Sequence, residues 1–466
     1  MDTAKNKNLS EGPLTPQIIK FILPLMLTGI LQLLYNAADS IVVGRWDGPN
    51  ALAAVTSVGS LVNLLLNVFM GFSVGTAVTV AHDYGAKDYK GVHRTIHTSI
   101  MLSLICGIAV GIIGFALSGT FLEWMDSPEN VIEKSKLYLM IYFLGTPANM
   151  VYNFGASILR SIGETKKPLY FLTAAGILNV ILNLALVIGC GLGERGLGVV
   201  GVGVGTIASQ YVSAICVIVY LMRRTDCAHF SWREMRIYKD KLNKIIRVGL
   251  PAGLQGIAFS LSNVLIQSSI NSFKEFAVAG NGAAANVEGF TYMAMNSVYH
   301  ATLTFVGQNV GARKYHRINK VLVTCLVLVV VIGVVFGYLT YFFGEELLSL
   351  YLDKNAEGFD LAIAYGKERM LYIALTYFLC GVMEVMVGAQ RGLGMSFAPM
   401  VNAIIGTCAL RIAWVKIVFG AYNTLASVYI SYPVSWILTT IAHAIFYFVK
   451  LHSIKKKARE EVLAEA

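Results

Sequence analysis

An all-α integral membrane protein is the fold class this sequence predicts, and three observations predict it. Of its 466 residues, 56% are hydrophobic and only 14% charged, where a soluble chain carries about 25% charged residues. Twelve apolar stretches each approach or exceed the roughly 20 residues that cross a bilayer. The chain also repeats itself at a nearly constant interval.

The stretches run over residues 17–44, 51–81, 95–119, 131–159, 166–190, 198–222, 244–272, 277–309, 317–343, 361–390, 398–420 and 423–449. The leading "MDTAKNKNLSEGPLTP" is polar and lacks the zones of a cleaved signal peptide, so the first helix is expected to be retained. The seven cysteines form no CxxC pair, and most, such as Cys106 and Cys190, lie inside apolar runs, as small packing residues do.

The net charge of +10 is explained by topology rather than by nucleic acid. With the N-terminus placed in the cytoplasm, 27 of the 37 Lys and Arg residues fall on the inner side. They include Lys5, Lys7 and a cluster between Arg223 and Arg247. The outer side holds only Arg45, Lys134, Lys136, Arg195, Lys274, Lys354, Lys367 and Arg369. Such a positive-inside bias puts both termini in the cytoplasm.

The repeat has three parts. "YGAKDY" at Tyr84–Tyr89 is echoed by "VGARKY" at Val310–Tyr315, 226 residues on. "RSIGETKKP" at Arg160–Pro168 is echoed by "RGLGMSFAP" at Arg391–Pro399, 231 on. Pro24, Gly29 and Asn36 are matched by Pro251, Gly256 and Asn263, each 227 on. Two six-helix halves follow: 1–225, then a cytoplasmic linker at 226–243, then 244–450, with a cytoplasmic tail at 451–466. An even number of spans per half makes the repeats parallel, with a substrate site expected between them. The repeated basic loops are expected to serve topology and loop structure.

Several chemistries are excluded. No G-x-x-x-x-G-K-[ST] loop is present to cradle ATP phosphates. Gly196, Gly198 and Gly201 match G-x-G-x-x-G, but at the start of an apolar span with no β-α-β context, where close helix packing explains them. No H-E-x-x-H constellation suggests an enzyme. Uphill work would have to draw on an ion gradient.

The first span carries an unusual polar face. Gln32, Tyr35 and Asn36, and Asp39 recur at helical spacing on one side. An acid in the membrane costs several kcal/mol unless it meets a cavity or a partner. Asp39 is thus a candidate site for a proton or Na⁺, whose hard charge suits carboxylate and amide oxygens. Asn36 shares its face. Asn179 and Asn183, one turn apart in the fifth span, and Thr206 in the sixth are candidate partners. In the second half, Arg411 falls mid-span and needs a counter-charge, so an ion pair with Glu384 or Glu288 is expected.

Jointly these motifs resemble the multidrug and toxic compound extrusion (MATE) transporters, especially the DinF-like branch. The resemblance rests on "YNAADSIVVGR" (Tyr35–Arg45), "LRSIGETKKP" (Leu159–Pro168), "LNVILN" (Leu178–Asn183), "VGQNVGARKY" (Val306–Tyr315) and "QRGLG" (Gln390–Gly394), spread over nearly the whole chain. It implies an inner-membrane antiporter with two V-shaped lobes, exporting amphipathic, mostly cationic compounds in exchange for H⁺ or Na⁺. Asp39 matches the family's first-helix acid, and Asn179 and Thr206 match polar ligands of its ion site. Many relatives carry a second acid where this chain has Asn183, so one formal charge is kept instead of two.

The expected substrate cleft draws on Gln32, Tyr35, Asn153, Gln255, Asn263, Glu288, Tyr292 and Met293. No resident cofactor or metal is expected. The expected partners are small amphipathic substrates and membrane lipid, with no nucleic acid, and the chain is expected to be monomeric. The nearest rival is a flippase for lipid-linked saccharides of the same superfamily; a channel is disfavoured because a twofold repeat does not make a ring of identical ligands.

Overall fold

The computed structural model describes residues 8–48, 58–124, 129–188, 197–352 and 357–465, together with 51, 54, 55 and 354. Lys5, Lys7, Cys190, Arg195 and Gly196, named above, lie outside the described residues. The described chain is helical and holds no strand.

In order, the helices are α1 (Leu14–Trp46), α2 (Gly59–Gly85), α3 (Tyr89–Trp124), α4 (Glu129–Leu144), α5 (Thr146–Ser161), α6 (Lys166–Ile188) and α7 (Gly198–Met222). After a 3₁₀ turn at Trp232–Glu234 come α8 (Lys239–Asn271), α9 (Lys274–Gly311), α10 (Tyr315–Phe342), the short α11 (Gly344–Leu348), α12 (Phe359–Tyr372) and α13 (Tyr377–Gly392). Two more, α14 (Phe397–Tyr422) and α15 (Leu425–Glu465), complete the chain.

Among the described residues nine helices are long and apolar enough to cross a membrane, or ten if α12 and α13, bent by 48° at a short break, count as one span. The described parts of the twelve expected stretches are almost wholly helical, but two stretches do not meet that standard. Residues 131–159 are divided at Gly145 into α4 and α5, of 16 residues each. Pro147 opens α5, where a missing N–H is harmless but a continuous helix would be interrupted. The 38-residue α9 is long enough but carries Asn281, Glu288, Asn296 and Gln308 along its length.

The chain divides into two compact units: Leu27–Gly253, and Asn8–Met26 with Leu254–Ala466. Both boundaries fall within a helix, two residues after its internal proline, Pro24 in α1 and Pro251 in α8. Proline has no N–H to give the preceding turn, so the helical ladder is weakest there. The first half of α1 therefore belongs to the second unit, and the first half of α8 to the first.

Within the first unit, α8 reaches α2 backbone to backbone. A side chain on Gly71 would strike Gly249 and Gly253, and one on Gly75 would strike the Ile245 carbonyl. Both pairs are spaced G-x-x-x-G, the arrangement that lets membrane helices approach closely where no hydrophobic force drives them together. The unit's cores are built from residues such as Val43, Leu139, Phe143, Met150 and Phe154, and from Ile96, Ile158, Val217 and Phe230. In the second unit Ile18, Phe21, Phe305 and Tyr447 form one core, and Tyr429 and Trp436 anchor another.

The repeated motifs are helix terminators. Gly163 takes φ 89° and Gly394 φ 81°, each just past a helix end. Gly163 N–H bonds Arg160 C=O at 2.9 Å and Glu164 N–H bonds Leu159 C=O at 2.8 Å; Gly394 to Arg391 and Met395 to Gln390 repeat the pattern at 2.8 and 2.9 Å. This is the Schellman motif, which the R-x-x-G spacing encodes because its left-handed residue favours glycine. The "YGAKDY" and "VGARKY" loops close the same way, but with Lys87 (φ 57°) and Arg313 (φ 55°) in the left-handed position.

These loops also hold the segments that lead into α8 and α1. In the first unit Lys241 meets the buried Asp83 at 2.6 Å, and Thr95 donates to the same carboxylate at 2.9 Å. In the second, Leu9 N–H bonds Gln308 at 2.9 Å, Lys314 meets Glu11 at 3.0 Å and Arg317 bonds Gly12 C=O at 2.9 Å.

Gly75→Val is expected to destabilise the protein by about 1–3 kcal/mol or more, because backbone lies where the new methyls would go. Lys87→Gly, which relieves a left-handed L-residue, is expected to be neutral or stabilising by up to about 1 kcal/mol. Thermal unfolding of both variants in detergent separates the two outcomes.

Candidate functional site

Asp39 lies in the second half of α1, 9% exposed, and its two oxygens are taken by different helices. Asn183 Nδ2 of α6 donates to Oδ1 at 2.5 Å, and the Thr206 hydroxyl of α7 donates to Oδ2 at 3.3 Å. Asn183 Nδ2 also lies 3.4 Å from Asn179 Oδ1, and Asn179 Nδ2 lies 3.4 Å from the Thr206 oxygen. The four side chains close a ring of one carboxylate, two amides and one hydroxyl.

Local sequence explains how the ring fits. Asn179 and Asn183 stack because they are four apart on α6. Thr206 reaches them because α7 approaches α6 through glycines: a side chain on Gly205 would strike Asn183 Oδ1, and one on Gly201 would strike the Leu186 backbone. Tyr138 and Tyr142 of α4 stand within electrostatic reach of Asp39. These two tyrosines, four apart in the apolar second half of α4, are site neighbours that the sequence reading missed; their spacing was the available signal.

Asn183 Oδ1 is buried and accepts no hydrogen bond. An acceptor left open beside a carboxylate costs free energy. It is well suited to a proton or to a hard monovalent cation, which oxygen ligands favour. The ring offers five oxygens: two from Asp39, one from each asparagine and one from Thr206.

Other expected members stand apart from it. Asn36 is exposed, and only its backbone carbonyl is engaged, by Ser40. Gln32 is exposed as well. The Tyr35 ring covers Gly176 while its hydroxyl approaches Thr173 C=O at 3.5 Å, and Asn153 bonds back to Asn149.

In the second unit the expected pairing is corrected. Glu288 is paired with Arg369 of α12, at 2.7 Å from Nη2 and 3.2 Å from Nε, and Arg369 Nη1 also donates to Asn281 at 2.7 Å. Arg369, counted among the outer-side charges, is 8% exposed. Arg411 forms no ion pair with Glu384 or Glu288. Its guanidinium lies 4.2 Å from the Tyr432 ring centre and 5.7 Å from that of Trp436, and its Nε donates to Ser435 at 2.8 Å. Aromatic faces supply the negative potential that a carboxylate was expected to supply. Arg411 sits on a short α segment, Leu410–Trp414, between two π-helical turns, Ile404–Ala409 and Val415–Phe419. Such turns are rare and often mark functional positions.

The other residues expected in the cleft are dispersed within the second unit. Gln255 is buried and accepts from Arg391 at 2.9 Å. Asn263 is exposed, Tyr292 and Met293 are half-buried, and Glu288 is committed to Arg369.

Comparison with known proteins follows the same division of the chain. The MatE family model matches residues 24–185 and again 251–417. The chain belongs to the MatE family. Over 95% of its length it is 28% identical to the probable multidrug resistance protein YoeA of Bacillus subtilis, of which 96% is covered. It is 25% identical to the probable multidrug resistance protein NorM of Thermotoga maritima, over 86% of this chain and 85% of that one. The fold matches a MOP superfamily transporter from Pyrococcus furiosus with a TM-score of 0.90, at 21% identity, covering 98% of this chain and 100% of that one. An outward-facing MATE family transporter matches with a TM-score of 0.89, at 21% identity over 98% and 100%. This MatE chain is thus a multi-pass, all-helical membrane protein with the MATE fold, in a family of transporters rather than enzymes.

Arg369→Met is expected to cost about 3–5 kcal/mol, because it leaves Glu288 buried without its counter-charge. Adding Glu288→Met should recover most of that loss, since an apolar pair of similar volume needs no compensation. Unfolding temperatures of the single and double variants measure the difference.

Proposed function

We propose that the protein is a secondary-active multidrug efflux antiporter of the DinF-like branch, exporting amphipathic, mostly cationic compounds in exchange for H⁺ or Na⁺ by alternating access. The observation that carries this reading is the ring of Asp39, Asn179, Asn183 and Thr206, with its open carbonyl oxygen, inside membrane helices. The names of its relatives, probable multidrug resistance proteins matched nearly end to end, supply the substrate class.

Asp39 is the coupling acid. As a carboxylate it accepts from Asn183 Nδ2. As a neutral acid it needs an acceptor, and a half-turn of the Asn183 amide offers Oδ1 in place of Nδ2. With Na⁺ the same half-turn brings a fifth oxygen to the ion. Either event changes how α1, α6 and α7 are tied together, and coupling arises when that change alters drug affinity between two states. One charge moved through 100 mV supplies about 2.3 kcal/mol, about fiftyfold in drug concentration.

The halves, 1–225 and 244–450, act as two lobes, with the linker at 226–243, the tail at 451–466 and both termini in the cytoplasm. The protein works as a monomer in the cytoplasmic membrane. The lysine and arginine bias of its loops supports that orientation.

In proteoliposomes with an imposed pH or Na⁺ gradient, the wild type is expected to expel a cationic dye, and Asp39→Asn to lose gradient-driven efflux while remaining folded. Asn183→Asp, which adds a second charge, is expected to shift preference toward Na⁺. Dye efflux unchanged by Asp39→Asn would remove the coupling role. Movement of lipid-linked saccharides without dye efflux would assign the chain to the flippase class.

A further inference from the structure

A second cluster of ligand-type side chains lies at the cytoplasmic end of the first unit, away from Asp39. His93 and His97 stand one turn apart at the start of α3, with ring centres 4.2 Å apart. The 3₁₀ turn of the linker brings Glu234 against them, its Oε2 2.9 Å from His93 Nε2. One ligand atom from each of the three lies within 4.8 Å of the others.

The hydrogen bonds around His97 fix its tautomer. Nδ1 lies 2.8 Å from the His93 carbonyl and must carry the proton to bond it. Nε2 then bears the lone pair, which accepts from Ser231 N–H at 3.1 Å. A backbone carbonyl on one imidazole nitrogen is the usual support of a metal-ligating histidine, because it orients the ring and leaves the other nitrogen basic. Phe230, 5.1 Å from the His97 ring, walls the buried side. On the open side, His93 also borders a cavity of about 340 Å³ lined by Tyr89, Lys90, Arg94, Cys227 and Tyr238.

We propose that His93, His97 and Glu234 form a binding site for a borderline divalent cation of the zinc class. Two imidazoles and one carboxylate are the donor set that Zn²⁺ takes with an open position for water, and a hard ion such as Mg²⁺ favours oxygen ligands instead. Binding exchanges the Ser231 N–H for the metal at His97 Nε2 and joins the linker to α3. Lys90 and Arg94, which line the same cavity, oppose a dication. Affinity is therefore expected to be weaker than that of a closed structural zinc centre. The site does not depend on transport, and nothing in it touches the Asp39 ring.

The test is a titration of the full chain in detergent with Zn²⁺ against a chromophoric chelator. The wild type is expected to bind one Zn²⁺, with no competition from excess Mg²⁺. Glu234 is exposed, so Glu234→Gln keeps the fold; it is expected to weaken Zn²⁺ binding by at least about tenfold, as is His93→Ala. Hydrogen exchange across residues 227–238 should slow with Zn²⁺ in the wild type and not in Glu234→Gln. Absence of Zn²⁺ binding, unchanged affinity in both variants, or a loss confined to Cys227→Ser would overturn the assignment.

Discussion

A buried charge has to be answered by neighbouring dipoles or by an opposite charge, and this requirement organises the molecule more than any packing term. Hydrocarbon has no water to do it. Asp39 is answered by two amides and a hydroxyl from two other helices. Glu288 is answered by a guanidinium, and Arg411 by aromatic faces. The first two tie helices that are distant in sequence, and the third ties the last two helices to each other. The helices must also come close enough to deliver short side chains, and the glycines of α7 make that approach possible.

The three solutions differ in how easily they can change. The Glu288–Arg369 pair is bidentate and further held by Asn281, so opening it exposes two charges at once. Arg411 on its tyrosine needs no proton to be satisfied. The Asp39 ring alone combines neutral partners, a single formal charge and an acceptor with nothing bonded to it. It can change its net charge by one without breaking an ion pair. The second unit's ion pair is a brace by comparison.

Much of this was legible in the sequence. Hydropathy marked the long helices but not the short α11, and the repeated motifs, read only as loops, turn out to be helix terminators at Gly163 and Gly394. The stacking of Asn179 on Asn183 followed from their separation of four. What failed were contacts set by helices breaking. Arg369 was counted on the outer side, but its helix, α12, meets α13 at a 48° bend and Arg369 turns inward to Glu288. Arg411 was assigned a carboxylate because a charge count treats aromatic rings as neutral. Asn36 lies only about 60° round the helix from Asp39, yet it is exposed where Asp39 is buried; a shared face does not put both side chains under the same partners.

The proline-marked boundaries have a bearing on how such a chain could have arisen. Each unit is completed by half a helix that belongs, by sequence, to the other repeat. A chain holding one repeat would lack the piece that finishes its own fold and would find it only in a second copy. Holding both repeats in one chain turns that encounter between copies into a loop closure within one.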